Sequence, residues 1–182
     1  MRYKRNYVAG GTYFFTVNLW DRHQTLLVDH VVALREAVRY VKRRRPFEID
    51  AWVVLPDHLH AVWTLPEGDV DYSLRWREIK KRFSKALPRT EPLSPVRQRN
   101  GERGIWQRRF WEHTITDAED YRHHVDYVHV NPLKHGWVER VKDWPYSSFH
   151  RAVKQGIYPP DWCGTGSDHI AGSQFDQRER EG

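Results

Sequence analysis

Ala51-Trp-Val-Val-Leu-Pro-Asp-His-Leu-His-Ala-Val-Trp-Thr-Leu65 consists of two apolar, β-branched and aromatic runs hinged at Pro56-Asp57. The runs, Ile49 to Leu55 and Leu59 to Leu65, predict two strands joined tightly as a hairpin. In an extended chain alternate side chains share a face, so His58 and His60 point one way and Leu59 points into the core. Two neutral imidazoles on one face make half of a divalent metal site. With 11 histidines in 182 residues, about 0.7 such triplets arise from composition alone. The pair carries weight only if the rest of the chain supplies a reason for a metal.

Outward from the hairpin, Thr12 to Trp20 is β-branched and aromatic behind Gly10-Gly11, a first strand. Val31 to Arg45 carries Val31, Leu34, Val38 and Val41 at helical spacing and is stopped by Pro46. Asp71 to Leu87 predicts a second helix, with Leu74, Ile79, Phe83 and Leu87 against a basic face. Pro88 to Gly104 is proline-rich and reads as a loop, and Ile105 to Ile115 as a fourth strand. Thr116-Asp-Ala-Glu119 resembles a capping box opening a third helix that Pro132 ends. The resulting order, β-α-β-β-α-β-α, predicts an α+β fold: a ferredoxin-like βαββαβ antiparallel sheet with helices on one face, plus an additional C-terminal helix. Residues 1–156 make one domain, and 157–182 form a polar, extended and mobile tail.

Charge is concentrated. The chain carries +6 overall, yet twelve basic residues against three acidic ones between Arg75 and Arg109 give that segment +9. A local positive field of this kind suits nucleic acid. Cys163 is the single cysteine, which excludes an intrachain disulfide and a cysteine-based zinc site. The N-terminus lacks a signal-like apolar region and no run approaches a membrane span, so a cytoplasmic location with no membrane partner is expected.

The third helix carries Tyr127 and Asn131 at i and i+4, one turn apart on one face. A tyrosine facing a metal can act as a covalent nucleophile, and an asparagine amide oxygen can be a hard ligand beside two imidazoles. The plain alternatives are half-buried packing for Tyr127 and a helix cap for Asn131, which precedes proline.

In combination these residues resemble the HUH single-strand endonucleases, and within them the REP-associated tyrosine transposases, a single-tyrosine branch. Five stretches carry the resemblance, in the family's order: Gly10-Gly-Thr-Tyr-Phe-Phe-Thr-Val17, Leu55-Pro-Asp-His-Leu-His60, Ile105-Trp-Gln-Arg-Arg-Phe-Trp-Glu-His113, Tyr127-Val-His-Val-Asn-Pro132 and Trp144-Pro-Tyr-Ser-Ser-Phe149. One departure is Asp57, where the family more often has asparagine; as a turn position it is expected to matter little for metal binding.

The resemblance implies that His58, His60 and Asn131 bind Mg²⁺ or Mn²⁺, and that Tyr127 attacks single-stranded DNA to leave a 5′-phosphotyrosine bond. Imidazole ligands favour manganese. The implied substrate is a REP- or BIME-like hairpin with an adjacent single-stranded guide tetranucleotide, handled by a monomer. Lys80, Lys81, Arg82 and Lys85 suit phosphate contacts. Trp106 and Trp111, interleaved with Arg108 and Arg109, suit stacking on unpaired bases, with core packing the alternative for at least one aromatic of that strand. His124, one turn before Tyr127, is a candidate to take its proton. The rival function is a non-catalytic hairpin or single-strand binder on the same fold, with metal-independent binding and no covalent adduct.

Overall fold

A computed structural model describes residues 5–91 and 93–165. Four strands, β1 (Thr12–Asn18), β2 (Glu48–Val54), β3 (His58–Thr64) and β4 (Trp111–Thr114), form one sheet in the order β2-β3-β1-β4, with every neighbouring pair antiparallel. Six helices accompany it among the described residues: α1 (Leu26–Asp29), α2 (Val31–Arg44), α3 (Tyr72–Ala86), α4 (Pro95–Arg99), α5 (Ala118–Lys134) and α6 (Phe149–Lys154). None is long and apolar enough to cross a membrane.

Both faces of the sheet are covered, so its strands are apolar on both sides. Tyr13, Phe15 and Val17 of β1 and Leu59, Ala61 and Trp63 of β3 join α2 and α3 in the larger core. There Trp63 and Trp76 stack 4.1 Å apart, with Phe47 4.2 Å from Trp63. Phe14, Ala51, Val53 and Val62 face the other way, against Val125, Tyr127 and Val128 of α5. Two helices therefore lie on one face, and the helix with the candidate nucleophile lies on the other, the face to which His58 and His60 belong. The segment 146–148 caps the outer edge of β2 through Val54 N–H to Tyr146 O and Ser148 N–H to Trp52 O, which leaves that edge without free backbone groups at those positions.

Several elements differ from the sequence reading. The fourth strand is four residues long: Trp106 and Gln107 bond beside Leu19 and Asn18, but residues 108–110 leave the ladder so that Phe110 can pack on Trp76. The loop at 88–104 contains the short α4. In α3, Trp76 occupies the core place given to Leu74. The cap of α5 is Asp117, accepting from Glu119 and Asp120 N–H, while the Asp120 carboxylate reaches back to Thr116 N–H at 2.9 Å. The reciprocal capping thus lies one residue later than Thr116–Glu119. Pro132 sits inside α5, which runs on to Lys134. Residues 124–132 of α5 are all buried, and that packing outweighs the roughly 3 kcal/mol cost of an internal proline. Tyr158 and Trp162, assigned to the tail, pack on Phe149 at 5.7 and 5.9 Å. The tail from 166 lies outside the described residues.

Candidate metal and nucleophile centre

β3 and α5 bring His58, His60 and Tyr127 together. The two imidazole centroids are 5.0 Å apart, and His60 meets the Tyr127 ring edge-on at 5.2 Å. Tyr127, Asn131 and His135 follow one another at four-residue steps on α5, and His135 approaches His58 at 5.4 Å. Asn131 thus sits between two residues of its own helix face that each contact one of the histidines. His58, His60, Tyr127 and Asn131 are all buried.

Each histidine is oriented through Nδ1. Thr16 lies directly across the ladder from His60, and its hydroxyl is 2.9 Å from His60 Nδ1. His58 Nδ1 is 2.8 Å from Asp57 Oδ1, and a carboxylate there selects the Nδ1–H tautomer. Among the described residues both Nε2 atoms are buried without a hydrogen-bond partner, as are both amide atoms of Asn131, and the His58 Nε2 carries a lone pair. Unsatisfied buried acceptors are costly, and a cation is what would satisfy several of them at once. Imidazoles fixed by a partner on the far nitrogen are the usual form of histidine metal ligands. The residues fit a divalent ion.

The surroundings are electropositive. Burial above all, with Arg22 and Lys134 adding to it, pushes His60 well below its ordinary pKa, so it is held neutral. Burial works against the charge of Asp57, yet His58 and Arg22 hold it down at about 2. Arg22 pairs with Asp57 and donates to Asn18 Oδ1 at 3.1 Å. The Lys134 ammonium lies 5.0 Å over the Tyr127 ring. Asp57 is therefore more than a turn residue. It orients the His58 ring and anchors Arg22, a role that its place in the turn does not announce.

His124 lies one turn before Tyr127 on α5. Its Nδ1 is held by Asp120, at 2.8 Å from the backbone oxygen and 2.9 Å from the carboxylate, and its ring stacks on His113 at 4.5 Å. Phe14 contacts both His124 and Tyr127, at 4.9 and 5.7 Å.

The expected DNA-binding residues divide. Lys81, Arg82, Lys85, Arg108 and Arg109 are exposed, with Arg82 over the Tyr40 ring and Arg108 paired to Glu102. Lys80 donates to Gln107 O at 2.9 Å, and burial followed by Arg5 lowers its pKa to about 8. Trp106 packs on Phe83 and Trp111 on Phe14, both half-buried. Arg75, within the +9 segment, is fully committed to the fold: it donates to Asp69, Asp71 O, Arg45 O and Pro46 O. Arg22, Thr16, Lys134, His135 and Trp137 were not singled out in the sequence, and they ring the site.

No family model matches the chain. Individual proteins do. It is 55% identical over 173 residues to the REP-associated tyrosine transposase of Escherichia coli (strain K12), covering 95% of this chain and 97% of the relative. A Haemophilus influenzae protein bearing the same family designation is 47% identical over 171 residues, covering 93% and 97%. A solved structure of a REP-associated tyrosine transposase bound to a REP hairpin superposes with a TM-score of 0.79 at 55% identity, covering 91% of this chain and 92% of that one. Sequence likeness over nearly the whole length and a shared fold agree, and the chain belongs to the REP-associated tyrosine transposases.

Proposed function

We propose that the protein is a metal-dependent endonuclease and strand transferase for single-stranded DNA, acting as a monomer in the cytoplasm on REP-type hairpins with an adjacent guide tetranucleotide. The observation that carries this reading is the pair of orphaned, buried Nε2 atoms of His58 and His60 beside Tyr127. The hairpin in the related solved structure supports the substrate class.

His58, His60 and Asn131 would hold Mg²⁺ or Mn²⁺. When bound, the ion would polarise the scissile phosphate and neutralise charge on its oxygens. Thr16 and Asp57 keep the two imidazoles aimed, while Arg22 and Lys134 add fixed positive charge for the DNA backbone. The Tyr127 oxygen attacks phosphorus, the bond to the 3′ oxygen breaks, and the products are a 5′-phosphotyrosine and a free 3′-hydroxyl. Lys81, Lys85, Arg108 and Arg109 supply exposed charge for backbone contacts. Tyr127 has no exposed surface, so this step requires α5 to open locally against the sheet.

That burial is also the observation that favours the second reading, a hairpin binder without chemistry. A denaturing gel separates the two. Incubated with a single-stranded hairpin oligonucleotide and Mn²⁺, the wild-type protein forms a covalent adduct, and Tyr127→Phe forms none. An equal adduct with Tyr127→Phe removes the nucleophile assignment, and cleavage by His58→Ala in chelator removes the metal site. No adduct under any condition leaves the binder.

A further inference from the structure

A cleft of about 250 Å³ opens beside His58 and is walled by Arg22, Gln24, Asp57, His135 and Trp137. Trp137 presents an apolar indole to solvent, 51% exposed, on a cleft that Arg22, Asp57, His58 and His135 also line. A single exposed aromatic is ordinary; this one is held in place. Gly136 adopts φ +72°, Gly136 N–H bonds Leu133 O, and Trp137 N–H bonds Pro132 O, both at 3.0 Å. These two bonds close the end of α5 in a Schellman motif. The backbone of Trp137 is thereby fixed to the end of the same helix that carries Tyr127 and Asn131. It leans on Trp144 at 6.1 Å, a partial contact that leaves half of the residue open.

Charge around the cleft suits a nucleotide. Arg22, held by Asp57 and Asn18, lies 3.3 Å from His58 Nδ1, and the His135 ring, also lining the cleft, is 5.4 Å from the His58 ring. Gln24 offers an amide able to donate to and accept from a base edge. Other aromatic surfaces are less available. Trp20 is 56% exposed but has Arg97 at 4.1 Å over its ring. Tyr40, in the larger groove between α2 and α3, lies under Arg82 at 3.1 Å.

We infer that this cleft is a subsite for one unpaired nucleobase, stacked on Trp137, in the nucleotide next to the scissile phosphate, with Arg22 and His135 on its phosphates. The inference rests on the proposed single-strand activity and names a specificity element for it. Stacking on one aromatic side chain is sequence-tolerant, while Gln24 at the base edge gives a preference among bases.

The test reads binding, so that it does not depend on the nucleophile. Full-length Tyr127→Phe protein in Mg²⁺ is titrated by fluorescence anisotropy with hairpin oligonucleotides whose single-stranded flank carries an abasic site at each position in turn. Recovery of intact DNA is checked on a gel. Trp137→Ala is expected to raise Kd about 5- to 100-fold, the range for loss of one stacked base, and Trp137→Phe to restore most of the affinity. In Tyr127→Phe one abasic position should cost the same factor, and in Tyr127→Phe/Trp137→Ala that position should cost nothing further. Thermal melting confirms that the variants are folded, and Trp137→Phe covers the case in which the alanine variant is not. The inference is overturned if Trp137→Ala binds like its parent, or if abasic and Trp137→Ala losses add at every position. Absence of single-strand binding in Tyr127→Phe itself overturns the functional reading along with it.

Discussion

Thr16 and His60 stand directly opposite each other across the β1–β3 ladder, with the Thr16 hydroxyl 2.9 Å from His60 Nδ1. Both are fully buried, so this hydroxyl is the fixed partner that decides which ring nitrogen of His60 is left for a ligand. The register of the ladder thereby links a residue of the first strand to the orientation of a histidine on the third.

Thr16→Val keeps the shape and removes the partner. It should lower Mn²⁺ affinity about 10- to 100-fold, the usual effect of losing an outer partner of a histidine ligand. It should also cost about 1–3 kcal/mol of stability in the metal-free protein, because Nδ1 is left buried and unpaired. Thr16→Ser should retain most of both. Calorimetric metal titration and urea unfolding check the two effects, and unchanged affinity in Thr16→Val would show that this hydroxyl does not orient a ligand.

Asp57 separates acceptor from charge. Asp57→Asn keeps an oxygen for His58 Nδ1–H but loses the ion pair to Arg22, whereas Asp57→Ala loses both. Metal affinity should fall less than about 10-fold in the first and about 10- to 100-fold in the second. If the two variants are equally impaired, the ion pair rather than the hydrogen bond is what matters.

His129 gives the stability of the fold a pH dependence independent of the metal site. Burial, with a smaller contribution from Arg151, lowers its pKa from 6.5 to about 3, and its Nε2 lies 2.8 Å from Ser148 Oγ. The unfolded chain binds the proton more readily, so the contribution is complete above pH 6.5 and is lost as pH falls toward 3. By pH 5 the loss should be about 2 kcal/mol. Burial displaces His60 and His124 in the same direction, so they add to the trend. Melting temperature measured from pH 7.5 to 5 should decline more steeply in wild type than in His129→Gln. Parallel curves would mean that His129 titrates normally.

Local signals were the legible ones. The β2–β3 hairpin, the amphipathic α2 and α3 and the strand pattern of β1 follow from periodicity and turn residues within one window of sequence. The joint presence of His58, His60, Tyr127 and Asn131 followed from spacing and from likeness to a family. What was hidden depends on register and on distant packing. Thr16 meets His60 across 44 residues, and nothing in either segment announces that pairing. Pro132 signals a helix end locally, yet the burial of α5 carries the helix through it. Arg75 reads as part of a basic surface, although its guanidinium is consumed by Asp69 and three backbone oxygens. Gly136, just after the last helical residue, was the available clue to the Schellman turn that presents Trp137.

Lys80, Lys81 and Lys85 read alike in sequence and should behave differently in solution. Lys81 and Lys85 are exposed on α3, free to exchange counterions for DNA phosphates. Replacing either with alanine should reduce the slope of log K against log salt by about 0.7–0.9, the release expected for one phosphate contact, without altering thermal stability. Lys80 instead donates to Gln107 O and lies within 5.7 Å of the Trp106 and Phe110 rings, joining α3 to the segment that leads into β4. Lys80→Ala leaves the Gln107 carbonyl without that donor and should lower stability by about 1–3 kcal/mol while leaving the salt slope unchanged. Hairpin binding measured from 50 to 200 mM salt, with urea unfolding of the same samples, distinguishes the two roles. A reduced slope for Lys80→Ala at wild-type stability would move Lys80 from the scaffold to the DNA surface.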